Sequence, residues 1–86
     1  MNLYLISQSS NNNYDTFDAA VVCAPDEETA RDMNPHDGEP LDWAARAASG
    51  YPGSWVMERS QVKVQLLGVA KPFSTPGLVL ASFCAG

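Results

Sequence analysis

The acidic middle of the chain carries the side chains best suited to acid–base or metal chemistry. Its one histidine, His36, stands beside Asp37 and near Glu39, and Glu27 and Glu28 are adjacent. A zinc-binding HExxH or CxxC motif, or a calcium-binding EF-hand loop, would need metal ligands at other spacings. The sequence therefore predicts no resident metal and no cofactor.

The same residues give little support for catalysis. A nucleophilic enzyme needs a nucleophile, a base and an orienting group held together, whereas His36 lies in a predicted loop after Pro35. Glu27 and Glu28 would not face each other on a helix, because residues one apart point in different directions. The glycines form neither a GxGxxG motif nor a Walker loop, so we expect a protein that is not an enzyme.

The cysteines and the apolar segments indicate a soluble cytoplasmic protein. Cys23 and Cys84 lie far apart in strand-like sequence, as expected of buried, reduced thiols. The residues after Met1 lack the basic and long apolar regions of a signal peptide. The longest apolar-rich segment, residues 77–86, has half of the roughly 20 residues that a membrane span requires. The length predicts one domain, residues 1–86.

Charge is distributed unevenly along the chain. Residues 15–42 contain nine acids and one base, Arg31, which gives this stretch a net charge of −8. Residues 43–86 contain four bases and one acid, which gives a net charge of +3. Such asymmetry between two parts of a chain indicates a charged partner. The nine acids are Asp15, Asp18, Asp26, Glu27, Glu28, Asp32, Asp37, Glu39 and Asp42.

Two interpretations of this acidic stretch remain open. A carboxylate surface can imitate the phosphates of a nucleic acid and occupy the basic groove of a nucleic-acid-handling protein, since opposite potentials steer and select partners. The same charge can serve only to keep a small protein soluble. Direct binding of nucleic acid is disfavoured, because proteins that bind it cluster Lys and Arg and this chain has five such residues, scattered along it.

Apolar alternation and turn residues predict four strands. They cover residues 2–8, 17–24, 61–71 and 78–84. The first two and the last carry apolar residues on both faces, which is typical of interior strands. Lys63 predicts that the third strand lies at an edge, because lysine discourages unwanted pairing. A change of apolar phase beside Gly68 predicts a β-bulge there.

A polar loop joins the first two strands and leads into a cluster of aromatic and acidic residues at positions 14–18. Phe17 is predicted to be the first inward residue of the second strand. Tyr14 stands between Asn13 and Asp15, and we expect it to be exposed. Tyrosines on loops favour interfaces, because they contribute contact area at a low entropic cost.

Two short helices are predicted between the second and third strands. The first begins at Pro25 and Asp26 and ends before Pro35, with glutamates in the first turn, where the helix dipole favours them. The second is capped by Asp42 and ends at Gly50. The order β–β–α–(α)–β–β predicts an α+β fold, a four-stranded and mostly antiparallel sheet with one or two short helices on one face.

Several segments resemble a family of small phage- and prophage-encoded proteins of similar length. The resemblance rests on the N-terminal strand, on a YDTYD-like cluster at residues 14–18 with an AVVAA-like strand and an EEEAR-like helix after it, and on an ASFNAG-like end at residues 81–86. It covers half of the chain, and residues 37–60 depart from it. Cys84 stands where the family pattern has asparagine.

The family has no assigned general activity, so the resemblance implies a context. Small acidic phage proteins often inhibit host defence, anti-CRISPR proteins among them. Together with the charge, this predicts a non-enzymatic inhibitor in the host bacterial cytoplasm. Its acidic surface would bind a basic surface of a defence protein such as a CRISPR effector complex. The predicted partner-binding residues are Tyr14, Asp15, Asp18, Asp26, Glu27, Glu28, Asp32, Asp37 and Glu39.

The alternative is a phage structural or interaction protein without inhibitory activity. Such a protein would self-associate, and across the two hypotheses together we expect a monomer or a weak homodimer. Its uncharged segments AAVVCA, residues 19–24, and LVLASF, residues 78–83, would pair across an exposed sheet edge.

Overall fold

The computed structural model describes residues 1–11, 15–51, 53–71 and 75–84. The predicted site residue Tyr14 lies outside the described residues. The elements are β1 (Asn2–Ser7), β2 (Thr16–Ala24), α1 (Glu27–Arg31), α2 (Trp43–Ser49), a 3-10 turn (Arg59–Gln61), β3 (Lys63–Val69) and β4 (Gly77–Cys84). This order confirms the predicted α+β fold.

The four strands form one antiparallel sheet in the order β3-β1-β2-β4. The prediction that β1 and β2 are interior strands is confirmed, and so is the edge position of β3, the strand that carries Lys63. The prediction that β4 is central is wrong. Its apolar pattern does not mark burial on both faces, because Leu80 is 67% exposed and Val79 is 58% exposed.

This strand order also corrects one part of the self-association hypothesis. Residues 19–24 belong to β2, which is hydrogen-bonded to β1 on one side and to β4 on the other. A strand that is hydrogen-bonded along both edges has no free edge with which to pair another strand. The AAVVCA segment therefore cannot pair with another chain in this fold, whereas β4 lies at an edge of the sheet.

A β-bulge interrupts the pairing of β1 with β3. Leu3 lies opposite Gly68 and Tyr4 lies opposite Leu66, so Leu67 is the extra residue. The bulge predicted beside Gly68 is therefore confirmed. An extra residue increases the local twist of an edge strand and makes that edge a poorer template for pairing.

The core lies between one face of the sheet and a layer formed by α1, α2 and the segment around Trp55. We call this layer the helical layer. Tyr4, Ile6 and Val22 point into it from the central strands, and Ala30 of α1 and Trp55 pack against them. Phe17 is also buried, and its ring lies 4.7 Å from that of Phe83. The prediction that Phe17 points inward is confirmed.

The two helices begin where their caps predict. The carboxylate of Asp26 accepts a hydrogen bond from the backbone N–H of Thr29 at 2.7 Å, and Asp42 accepts one from Ala45 at 3.0 Å. Gly50 ends α2 with a φ of 68°, the left-handed conformation that glycine adopts without a steric cost. No helix in the described residues is long and apolar enough to cross a membrane.

Helix α1 is shorter than predicted, because it ends at Arg31 and not at Pro35. The backbone N–H of Leu41 donates to the carbonyl of Asp32 at 2.7 Å, and Met33 forms an isolated β-bridge with Pro40. These bonds to a segment several residues ahead take the place of further helical bonds. Tertiary pairing, which the local sequence does not reveal, ends the helix.

Candidate acidic binding surface

Helix α1 places Asp26, Glu27 and Glu28 at one end of the helical layer. Asp26 is the N-cap, and hydrogen bonds from Thr29 hold the pKa of its carboxyl below the ordinary value of 3.8. Glu27 and Glu28 occupy the first turn, where their charge is favourable to the helix dipole. All three side chains are exposed, so a local structural role does not remove their charge from the surface.

Two arginines contact the acids of this helix. Arg31 lies 3.4 Å from Glu27, and its guanidinium also donates to the carbonyl of Val62. Arg59 pairs with Glu28, and its Nε donates to Asp32 Oδ1 at 2.6 Å. The hydrogen bonds to Asp32 and Glu28 raise the pKa of Arg59 above its ordinary value.

Asp32 is the most heavily bonded acid of this group. Its Oδ1 accepts from Arg59 and also from Trp43 Nε1, at 2.9 Å. Its carbonyl accepts from the backbone of Leu41. Asp32 thus connects α1, α2 and the 3-10 turn, so its side chain has a structural role besides its charge.

A tight turn brings Asp37 and Glu39 onto the same side of the sheet. Asn34 donates its backbone N–H to the carbonyl of Glu39 at 2.8 Å, and Gly38 donates to the carbonyl of Asn34 at 2.7 Å. The Asp37 carboxylate accepts from the backbone of Glu39 at 2.9 Å. The turn leaves both side chains exposed.

Gly38 fixes this turn against the beginning of β4. Its φ is 77°, and a Cβ built there would lie 2.6 Å from the backbone nitrogen of Leu78. The ring of His36, on the same turn, lies edge-on to Phe17 at 6.1 Å. The turn is thereby held along β2 and β4, and the position of its acids relative to α1 is set by packing.

Asp32 and Glu39 border one open cleft of about 370 Å³. Thr29, Met33, Gly38, Pro40 and Pro76 also line it. One acid from the end of α1 and one acid from the turn therefore line the same cleft. We call the acids of α1 and of the turn together the acidic layer: Asp26, Glu27, Glu28, Asp32, Asp37 and Glu39.

Asp15 and Asp18 lie at the beginning of β2, where Phe17 contacts the His36 ring of the turn. Gln8 and Asn11 are buried nearby. Asn11 Nδ2 donates to the carbonyl of Trp55 at 2.7 Å, and Gln8 Nε2 donates to that of Phe17 at 2.9 Å. Strand β2 has nine residues, and eight steps of about 3.3 Å put its ends about 26 Å apart. Asp15 precedes the strand and Asp18 is its third residue, so both lie toward the end of β2 that is opposite to Asp26.

The structure adds two residues that the sequence prediction missed, Arg59 and Trp43. Both hold Asp32, and neither lies in the acidic stretch. No group of three or more His, Cys, Asp or Glu side chains in the described part of the chain is placed to hold a metal ion. The predicted loop residues His36, Asp37 and Glu39 therefore give no ligand set there.

Comparisons with family models, with curated proteins and with solved structures find no match to this chain. The resemblance to phage-encoded proteins stays a prediction. Any conclusion about function must therefore come from the surfaces of the molecule.

Proposed function

We propose that this protein is a non-catalytic inhibitor whose acidic layer binds a basic surface of a nucleic-acid-handling protein. The observation that supports the proposal most strongly is the shared cleft of Asp32 and Glu39. These two acids come from separate segments of the chain and line the same cleft. A band of carboxylates with fixed positions is the feature that a phosphate-binding groove would recognise.

The ion pairs within the layer are compatible with such binding. Glu28 is 71% exposed and Glu27 is 56% exposed, although each contacts an arginine. Exposed ion pairs contribute little to stability, about 0–1 kcal/mol. An arginine of a partner can therefore compete for these carboxylates, while Arg31 and Arg59 hold them in place before binding.

The target class follows from the resemblance and from the charge together. A protein that imitates phosphates blocks a machine that must bind nucleic acid. We propose a bacterial defence protein with a basic surface, a CRISPR effector complex being one example. Neither direct binding of nucleic acid nor membrane binding is part of this proposal.

The test uses purified defence complexes, each loaded with a fluorescent nucleic acid. Increasing amounts of the protein should displace the nucleic acid from at least one complex, and rising salt should weaken the displacement steeply, because exposed charges are screened. Failure to displace nucleic acid from any complex of a broad panel, at low salt, would overturn the proposal.

The informative variant reverses Glu27, Glu28 and Glu39 to lysine together. It leaves Asp26 and Asp32 intact, because their carboxylates cap α1 and hold Trp43. Displacement should be lost while the circular dichroism spectrum stays that of the wild type. Undiminished displacement by the folded triple variant would mean that the acidic layer is not the binding surface.

A further inference from the structure

The face of the sheet opposite the helical layer is apolar, and its exposure varies among the described residues. Cys23, opposite Leu3, is buried, whereas Leu80 is exposed. Leu5 and Val21 are paired neighbours at its centre, and Val21 pairs on its other side with Leu80. Ser7, Ala19 and Ser82 form the next row. We call this surface the open face: Leu3, Leu5, Ala19, Val21, Leu80 and Ser82.

Exposure on the open face increases toward β4. Leu80 is 67% exposed, and it lines a shallow apolar groove of about 220 Å³ with Leu5 and Val21. On the other side, Lys63 and Gln65 of β3 lie beside Ser7 and Leu5 and provide a polar rim. A contiguous apolar patch with a polar rim marks an interaction site on a small protein.

We propose that the open face binds the open face of a second copy of this chain. Two copies of net charge −5 repel each other, but salt screens this repulsion where the acids lie more than about 8–10 Å apart. None of the six residues of the open face carries a charge, and the acidic layer lies on the other side of the sheet. An apolar surface is also self-complementary across a two-fold axis, because it needs no matched pattern of donors and acceptors.

The size of the face sets the strength of the dimer. Four strands about 4.8 Å apart, each with about six residues at 3.4 Å, define a face of about 400 Å². Two such flat faces would bury about 800 Å² in total, without the extra area of protruding side chains. This is less than the roughly 1,200 Å² at which stable interfaces begin. The structure thus points to a weak, concentration-dependent dimer and not to an obligate one.

The packing mode is that of a sandwich of two sheets. Aligned sheets pack about 10 Å apart with their strands about 30° from parallel. Leu5 and Val21 would then lie at the centre of the dimer, and the two acidic layers would face outward on opposite sides. The inference stands independently of the proposed inhibitor function.

Sedimentation equilibrium from about 10 μM to 1 mM tests this dimer. The wild type should shift from a mass of 9.3 kDa toward twice that value. Leu5→Lys should raise the dissociation constant at least about a hundredfold, because each substitution enters a two-fold interface twice. Leu80→Lys, at a largely exposed position that tolerates charge in the monomer, should do the same.

Two control variants separate this contact from others. Tyr51→Lys changes a residue that is 72% exposed and lies outside the sheet, so the dimer should be unaffected. Val79→Lys places a charge on the edge strand β4 and would break edge-to-edge pairing. A wild type that is monomeric over the whole range, or a dimer lost with Val79→Lys and kept with Leu5→Lys, would overturn the proposal.

Discussion

At the scale of single residues, the acids of this protein divide into those that the fold uses and those left for a partner. Asp26 and Asp42 cap helices, and Asp32 binds Arg59 and Trp43. The caps could be predicted from the sequence, because a cap bonds to a residue three positions ahead. The contacts of Asp32 could not, because its partners lie 11 and 27 residues away.

The cap at Asp26 makes a prediction about pH. The pKa of its carboxyl is lower in the folded protein than in the unfolded chain, so its contribution to stability is present above the unfolded value and is lost as the pH falls through the folded value. Asp26→Asn keeps a capping side chain but does not titrate.

Urea unfolding at pH 6 and at pH 2.5 measures this contribution. The wild type should be more stable than Asp26→Asn at pH 6, and the difference should shrink toward zero at pH 2.5. An equal difference at both pH values would show that the charge of Asp26 does not contribute.

Gly38 gives a second prediction at this scale. Alanine there would adopt a left-handed conformation and would also collide with the backbone of Leu78. We expect Gly38→Ala to lower the free energy of unfolding by about 3 kcal/mol or more, since both the backbone strain and the overpacking are costly.

Gly50→Ala is the matched control for Gly38→Ala. Gly50 has a similar φ of 68°, but nothing lies within 4 Å of the added Cβ. It should cost about 1 kcal/mol, the penalty of the left-handed conformation alone. Equal losses in the two variants, measured by urea unfolding, would mean that the contact between the turn and β4 is not tight.

At the scale of elements, the positions of the strands along the sequence were predicted better than their order in the sheet. Alternation located all four strands, and Lys63 identified one edge. The position of β4 could not be predicted from its composition. An edge strand with apolar residues on both faces has the same sequence pattern as a central strand. Only the order of the strands in the folded sheet distinguishes the two. The end of α1 escaped prediction for a similar reason, because the bonds that end it come from Leu41 and Pro40.

The two faces of β1 should respond differently to truncation. Ile6 is fully buried against the helical layer, whereas Leu5 lies on the open face. Ile6→Ala should cost about 2–5 kcal/mol of unfolding free energy, as is usual for a core aliphatic residue. Leu5→Ala should cost less than half as much when measured at about 1 μM, where a weak dimer dissociates.

Urea unfolding of both variants at that concentration is the measurement. A loss from Leu5→Ala as large as that from Ile6→Ala would contradict the assignment of an uncovered face. It would mean that the sheet is buried on both sides in the monomer.

At the scale of the whole molecule, the sheet separates two surfaces of opposite character. The helical layer carries the acids, and the open face carries apolar side chains with a polar rim at β3. The charge asymmetry along the sequence predicted an acidic surface, and most acids of α1 and of the following turn are exposed. Composition could not predict that Asp15 and Asp18 lie toward the end of β2 that is opposite to Asp26, nor that one face of the sheet has no helix packed on it among the described residues.

The central claim is that the acidic layer, and not net charge alone, binds the partner. Glu39→Lys and Asp18→Lys test it most directly, because each changes the net charge by the same amount at exposed positions, one within the layer and one at the beginning of β2. The measurement is the concentration of each variant that displaces half of the nucleic acid from the target complex. We predict that Glu39→Lys raises it by about tenfold or more and that Asp18→Lys changes it by less than about threefold. Equal shifts for the two variants, or a larger shift for Asp18→Lys, would contradict the account.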